Sequence, residues 1–296
     1  MFNNSINNQA DRRLNFLLLI VASATGLLLA IIILFLLNES WPFFANRWRD
    51  GTWLQLFYGQ SWYPLESQFG MAPMILSSLA VTVGAVVLAL PLGLGSAIYL
   101  QFYASPRWAQ SFRLLLNVLA GIPSVVFGLW GLTRLVPLIT SWQPPGASLL
   151  AAILVLTLMI LPTIALTSAS ALASVPRELL AGSMALGLRR NSQILHIFLP
   201  AARSGISSGV LLATARALGE TLAVLMVAGN VVQNPSGLFE PVRVLTANIA
   251  LEMAYAMGDH RASLFASGLL LTMLVWLLSW FAHRVVRAHK QALQYG

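Results

Sequence analysis

Six stretches of this chain run without a single Asp, Glu, Lys or Arg: residues 14–38, 67–106, 114–133, 135–176, 221–239 and 262–283. A bilayer core about 30 Å thick asks for roughly 20 apolar residues per helical span. A water-soluble domain does not supply so many uncharged runs. Of the 296 residues, 9% are charged and 58% hydrophobic, against about 25% and 45–50% in ordinary soluble domains. The chain therefore reads as an integral membrane protein, not a secreted disulfide scaffold, a disordered chain or a cytosolic enzyme. With no cysteine in the sequence, disulfides, thiolate zinc sites, iron–sulfur clusters and cysteine nucleophiles are excluded together.

The uncharged runs resolve into an all-α fold of six transmembrane helices. The first is 14–38. The second covers about 71–101 despite Pro91, Gly93 and Gly95, and the third is 114–133. The run 135–176 is interrupted by Ser141-Trp142-Gln143-Pro144-Pro145-Gly146, a turn signal, so a fourth span begins near 148 and ends near 170. A fifth, about 203–229, contains Arg216 and Glu220, and a sixth covers about 263–283. Arg12 and Arg13 ahead of the first span resemble the start of a secretory signal. The apolar run is too long for one and no small-x-small site follows, so the span is expected to be retained.

Six spans put both termini on one side. That side carries Arg12, Arg13, Arg107, Arg113, Arg177, Arg189, Arg190, Arg203, Arg284, Arg287 and Lys290, eleven basic residues. The other carries five: Arg47, Arg49, Arg134, Arg243 and Arg261. Cytosolic loops concentrate Lys and Arg, so both termini are expected inside. The net charge of +8 thus reports topology. There is one lysine and no basic run long enough to bind nucleic acid.

Three parts follow. Residues 1–70 hold a cytosolic tail, the first span and an external segment, 38–70, with four of the nine tryptophans (Trp41, Trp48, Trp53, Trp62). Such a segment reads as an aromatic belt against membrane lipid at the outer interface. Residues 71–285 form the core, with a cytosolic loop at about 171–202 and an outer loop at 230–262. In the outer loop, Pro241 to Ala250 reads as a short helix dipping toward the membrane. Residues 286–296 are a basic cytosolic tail. No internal duplication is evident.

Arg216 and Glu220 stand at helical i,i+4 spacing inside a span, which would place them on one face. Intramembrane charge faces protein or a water-filled path, and its default reading is functional. A guanidinium fork matches phosphate or carboxylate oxygens, so one reading is an anion contact and the other a structural ion pair. Gly205-Ile206-Ser207-Ser208-Gly209 fits both a G-x-S-x-G nucleophile turn and a GxxxG packing motif. None of the four histidines, His196, His260, His283 and His289, lies inside a span to activate Ser207, and surface roles are expected for them. No spacing suggests a metal site. No P-loop occurs, so any ATP-driven role needs a second protein. Gly121-Ile122-Pro123-Ser124 and Gly128 are helix breakers at membrane depth, either packing residues or the lining of a solute path. In the cytosolic loop, Pro176, Glu178 and Gly187 mark the start, first turn and stop of a short helix, and a second stretch follows from Gln193 to Pro200. These fit a docking knob or a plain interfacial helix.

The loop's Gly187, Ile194, Ile197 and Leu199-Pro200 resemble the EAA loop of type I ABC-transporter permeases, the MetI-like permeases of binding-protein-dependent transport. Residues 71–285 resemble that family's core domain. The runs Ala120-Gly121-Ile122-Pro123-Ser124-Val125-Val126-Phe127-Gly128, Arg216-Ala217-Leu218-Gly219-Glu220-Thr221 and Thr246-Ala247-Asn248-Ile249-Ala250 are similar to its phosphate importers. Residues 221–230 look more like their C-type permease than the A-type. The resemblance implies a non-enzymatic subunit partnered by an A-type permease, an ATPase dimer holding ATP and Mg, and an external phosphate-binding protein, with no cofactor in this chain. It implies an anion path through Arg216, Glu220, Thr221 and Ser124. It also implies a coupling loop in which Arg177, Glu178, Ala181, Gly182, Gly187 and Arg190 meet the ATPase. Where the family has Glu-Ala-Ala this chain has Ala181-Gly182-Ser183, and the nearest carboxylate is Glu178, one turn earlier. The competing readings are a permease for sulfate, molybdate or phosphonate, an intramembrane serine protease using Ser207, and a membrane scaffold.

Overall fold

A computed structural model describes the backbone of residues 7–292 and, within it, the side chains other than those of 7–11, Arg13, Arg177 and 281–292. Residues 1–6, and 293–296 of the basic tail, lie outside the described residues. So do the side chains of Arg284, Arg287 and Lys290.

The first apolar run forms α1 (Asn7–Arg49), which does not stop at Asn38 but carries helix on through Trp41 and Trp48. Every residue from 14 to 32 is exposed, the pattern of a helix whose sides face lipid. After α2 (Gln55–Tyr58), β1 (Trp62–Tyr63) and β2 (Gln68–Phe69) form an antiparallel hairpin with Trp62 opposite Phe69. The core helices follow: α3 (Ala72–Ile98), α4 (Pro106–Gly121), α5 (Ser124–Trp130), α6 (Val136–Thr140) and α7 (Leu149–Ala173). Then come α8 (Arg177–Ala185), α9 (Arg190–Gln193), α10 (Leu199–Leu218), α11 (Leu222–Val227), α12 (Leu245–Glu252) and α13 (Gly258–Ala292). Wider π turns at Tyr99–Tyr103, Gly131–Leu135 and Ile194–Phe198 extend α3 and join α5 to α6 and α9 to α10.

Among the described residues, five helical stretches are long and apolar enough to cross a membrane: Leu14–Arg49, Ala72–Tyr103, Leu149–Ala173, Arg190–Leu218 and Gly258–Trp280. A sixth crossing is available among these residues as a bent pair, Pro106–Gly121 with Ser124–Thr140, which turns through 91°. The third span expected over 114–133 is therefore two helices, parted at the breakers Gly121 to Ser124. The cause is local: Pro123 has no N–H and pushes Ile122 out of helical geometry, here to ψ 128°.

The core is built on α7. Two thirds of its most apolar stretch, 67%, is buried, against none of α1. It touches α3, α10 and α4, and Val155, Leu156, Ile160 and Ile164 are wholly enclosed. Ser148 caps its start by accepting the Ala151 N–H at 3.4 Å. In lipid such a helix gains by close packing and not by leaving water. Trimming Leu156 to alanine would cost roughly 2–5 kcal/mol.

A second core lies around the hairpin, where Phe43, Trp62, Phe69 and Met71 meet Leu245 and Leu264. The aromatic segment thus divides. Trp41 and Trp48 are 69% and 71% exposed, as a lipid-facing belt requires, whereas Phe43 and Trp62 are packed inside at 1% and 5%.

The loop expected at 171–202 is shorter than its sequence suggests, because α7 runs to Ala173 and the fifth span already begins at Arg190. The stretch 193–200, read as a second short helix, is the first part of that span. The first short helix is α8, and it ends where expected. Gly187 adopts φ +66°, its N–H bonds the Met184 carbonyl at 3.0 Å, and the Leu188 N–H bonds that of Ser183 at 3.2 Å. This is the paired closure of a left-handed helix end, which favours glycine.

Candidate functional site: a charge beside two broken helices

Helix α10 approaches α7 through its small residues. A Cβ at Gly205 would lie 2.6 Å from that of Ala171, and one at Gly209 would run into the Thr167 side chain. The Gly205–Gly209 motif is therefore a packing stripe, and Ser207 sits inside helix α10, without the strand-to-helix turn of a nucleophile elbow. Gly205 against Ala171 and Gly209 against Thr167 set the two helices antiparallel. Continuing that register, Arg216 reaches the α7 residue Thr163, donating from Nη1 to Oγ1 at 3.5 Å. The guanidinium is otherwise exposed on the open side of the chain.

The expected pairing of Arg216 with Glu220 on one helical face is not found. Helix α10 stops at Leu218, and Glu220 lies in the break before α11. Its Oε1 accepts the Ala223 N–H at 3.2 Å, capping α11, and the Thr246 hydroxyl donates to its backbone carbonyl at 2.8 Å. Both bonds satisfy backbone groups that a break at membrane depth would leave bare. With Glu220 committed there, no ion pair joins it to Arg216. The continuous span expected over 203–229 fails at this same point.

The two breaks lie together. A Cβ at Gly128 of α5 would sit 2.9 Å from Ala223 Cα of α11, and one at Gly131 would sit 2.8 Å from Val227. Contacts that advance in step along both helices make them parallel. Ser124 begins α5, just past the break at Pro123. Thr221 begins α11, and its hydroxyl donates to the Gly219 carbonyl at 3.3 Å. So Arg216, Glu220 and Thr221 stand at the break between α10 and α11, and Ser124 starts α5, which packs on α11, although not by the pairing the spacing of Arg216 and Glu220 suggested. Helix α12, the dipping helix expected in the outer loop, covers the break. Besides the Thr246 bond, its Leu245 N–H donates to Ser78 of α3 at 3.0 Å.

A second charged cluster, which sequence reasoning missed, lies beyond α12. Glu252 Oε1 accepts from Arg243 Nη1, and Oε2 accepts from Trp62 Nε1 and meets His260 Nε2, all at 2.8 Å. Arg243 also donates to the Asn230 carbonyl at 2.9 Å and to Asn248 Oδ1 at 3.1 Å. His260, expected on the surface, is thus largely enclosed, its side chain 15% exposed.

Of the expected coupling residues, Glu178, Ala181, Gly182 and Gly187 are exposed on or just past α8. Arg190 stacks over the Tyr103 ring at 4.8 Å, and the Arg177 side chain lies outside the described residues. Beside them, Leu179, Met184 and Leu186 are 44%, 58% and 78% exposed, an apolar surface on a short helix.

Comparison with known proteins fits this arrangement. Residues 89–295 match the family described as binding-protein-dependent transport system inner membrane component. A probable ABC transporter permease, YqgH of Bacillus subtilis (strain 168), is 40% identical over 224 residues, covering 73% of this chain and 72% of that protein. The phosphate transport system permease protein PstC of Mesorhizobium japonicum (strain LMG 29417 / CECT 9101 / MAFF 303099) is 32% identical over 280 residues, 86% of each chain. Among solved structures, an inward-facing MetNI methionine ABC transporter superposes with TM-score 0.62 at 20% identity, covering 77% of this chain and 99% of its own. A bacterial ABC transporter involved in importing the acidic polysaccharide alginate gives TM-score 0.60 at 16% identity, covering 95% and 99%. These two likenesses speak for the fold alone. With the family model spanning most of its length and its broken helices set in that fold, this chain belongs to the inner-membrane permease components of binding-protein-dependent ABC transport systems.

Proposed function

We propose that this chain conducts inorganic phosphate as the C-type permease of an ABC importer in the cytoplasmic membrane. The relatives named as phosphate transport permeases supply the substrate. The observation that carries the path is Arg216: a guanidinium at the end of a broken span, without a counter-carboxylate, on the open side of the chain. An anion entering a low-dielectric path needs donors in place of its water, and a free planar fork provides them. In this reading Ser124 and Thr221 flank the ion at the starts of α5 and α11, and Glu220 holds the break. The open face carrying Arg216 is closed by an A-type permease.

With eleven basic residues on the terminal side, the termini lie in the cytosol and the hairpin faces the external phosphate-binding protein. Helix α8, with Arg177, Glu178, Ala181, Gly182, Gly187 and Arg190 about it, seats in an ATPase dimer. That dimer holds ATP and Mg, and this chain performs no catalysis itself.

The test is Arg216→Gln in the assembled complex. Phosphate uptake should be abolished while the complex still assembles and still binds its external protein. Arg216→Lys should restore little, since a point charge does not reproduce the fork. Uptake at the parent rate by Arg216→Gln would end this reading.

A further inference from the structure

The hydroxyl beside Arg216 differs from its counterparts elsewhere in the fold. A threonine inside a helix ordinarily returns its hydroxyl hydrogen to a carbonyl three or four residues back. The other threonines of the described helices donate to a backbone carbonyl, including Thr167 one turn along the same helix, which bonds the Thr163 carbonyl at 2.6 Å. Thr163 does not. Its Oγ1 accepts from Arg216 Nη1 at 3.5 Å, and an oxygen that accepts keeps its own hydrogen to give. Thr163 is partly covered, on the α7 face that meets Arg216 of α10. A hydroxyl with an uncommitted hydrogen and a guanidinium with most of its donors unused therefore stand side by side at membrane depth.

From this juxtaposition we propose that Thr163 is a second substrate-binding residue, donating its hydroxyl hydrogen to the oxyanion that Arg216 holds. The inference rests on the anion-path reading of Arg216 and adds to it a neutral donor from a different helix. The two groups have complementary tasks. Arg216 supplies charge, and Thr163, fixed on the best-buried helix of the fold, supplies a direction. The antiparallel contact at Gly205 and Gly209 is what brings them within reach. With the ion absent, the Arg216–Thr163 bond parks the guanidinium. With the ion present, both groups turn their hydrogens to it without moving a backbone.

The experiment uses the complete complex, with its second permease and ATPase, reconstituted in liposomes with saturating phosphate-loaded binding protein. Radiolabelled phosphate moved is read against ATP hydrolysed and against the amount of assembled complex. Thr163→Val keeps the branched shape and removes only the hydroxyl. It should lower phosphate moved per ATP about tenfold, the loss expected for one hydrogen bond to a charged group. Thr163→Ser should return it to within about twofold of the parent, since the hydroxyl is what matters. Parent-like coupling in Thr163→Val would overturn the proposal. So would equal losses in the valine and serine variants, or a loss matched by reduced assembly, because each assigns Thr163 to packing. Arg216→Gln is run alongside. If it transports normally, the path itself is wrong. If it is dead while Thr163→Val is normal, only the role of Thr163 falls.

Discussion

Arg243 and Glu252, nine residues apart, pair at 2.8 Å, whereas Arg216 and Glu220, at ideal helical spacing, do not pair at all. The first pair is closed. Three segments bring a donor to Glu252, whose side chain is 8% exposed, and Arg243 is engaged by two further oxygens. Between the members of the second pair the helix ends, so the carboxylate turns to a backbone N–H and the guanidinium faces the open side with one hydroxyl for company. Identical residue types thus make a clamp in one place and an available charge in the other. What separates them is what else reaches each carboxylate: Trp62 and His260 close around Glu252 beside Arg243, whereas Glu220 is taken by the Ala223 N–H of the half-helix that follows it.

Four changes bear on these readings, the first two on that contrast directly. The largest effect is expected from Glu252→Ala, which leaves Arg243 largely enclosed without its carboxylate and the Trp62 N–H unpaired. Losing one partner of a buried pair costs roughly 3–5 kcal/mol, which should appear as lost membrane abundance and earlier unfolding in detergent. Glu220→Ala removes one helix cap, roughly 0.5–2 kcal/mol, so its abundance should fall far less. Equal losses in the two variants would erase the distinction between clamp and open charge.

Next comes Gly187→Val, remote from both pairs. A Cβ there meets no atom within 4 Å, and the burden is the positive φ alone, roughly 1–2 kcal/mol. It should fray the end of α8 and weaken ATPase association while the chain stays inserted. Pull-down of the ATPase with the variant checks this, and unaltered association would detach α8 from coupling. The smallest effect is expected from Ala181→Glu, at an exposed position of α8. It should change stability by no more than about 0.5 kcal/mol and leave phosphate-stimulated hydrolysis intact.

Features set by neighbours in the chain were legible beforehand. Apolar runs became spans because a bilayer asks for contiguous residues. Gly187 stopped α8 because its conformation is local, and Ile122-Pro123 was readable as a breaker although its 91° turn was not. Features set from a distance were not legible. No proline marks the break after Leu218. It is stabilised by Thr246, 26 residues on, and by a carboxylate that i,i+4 counting assigned to Arg216. The clamp on Glu252 needs Trp62, 190 residues earlier. Thr163 differs from Thr167 only through what α10 brings to it, which periodicity cannot register.

Glu220 at the head of α11 has a consequence for how long an ion stays. The start of that half-helix is an attractive place for negative charge, and the chain has already filled it with its own carboxylate. On the proposed path a visiting dianion would therefore be held by one full cation and by neutral dipoles. Conduction needs a station that admits an ion and then lets it go. On the proposed path residence would then be brief by construction, and the pace of turnover would be left to the opening and closing of the helices, not to the ion's escape.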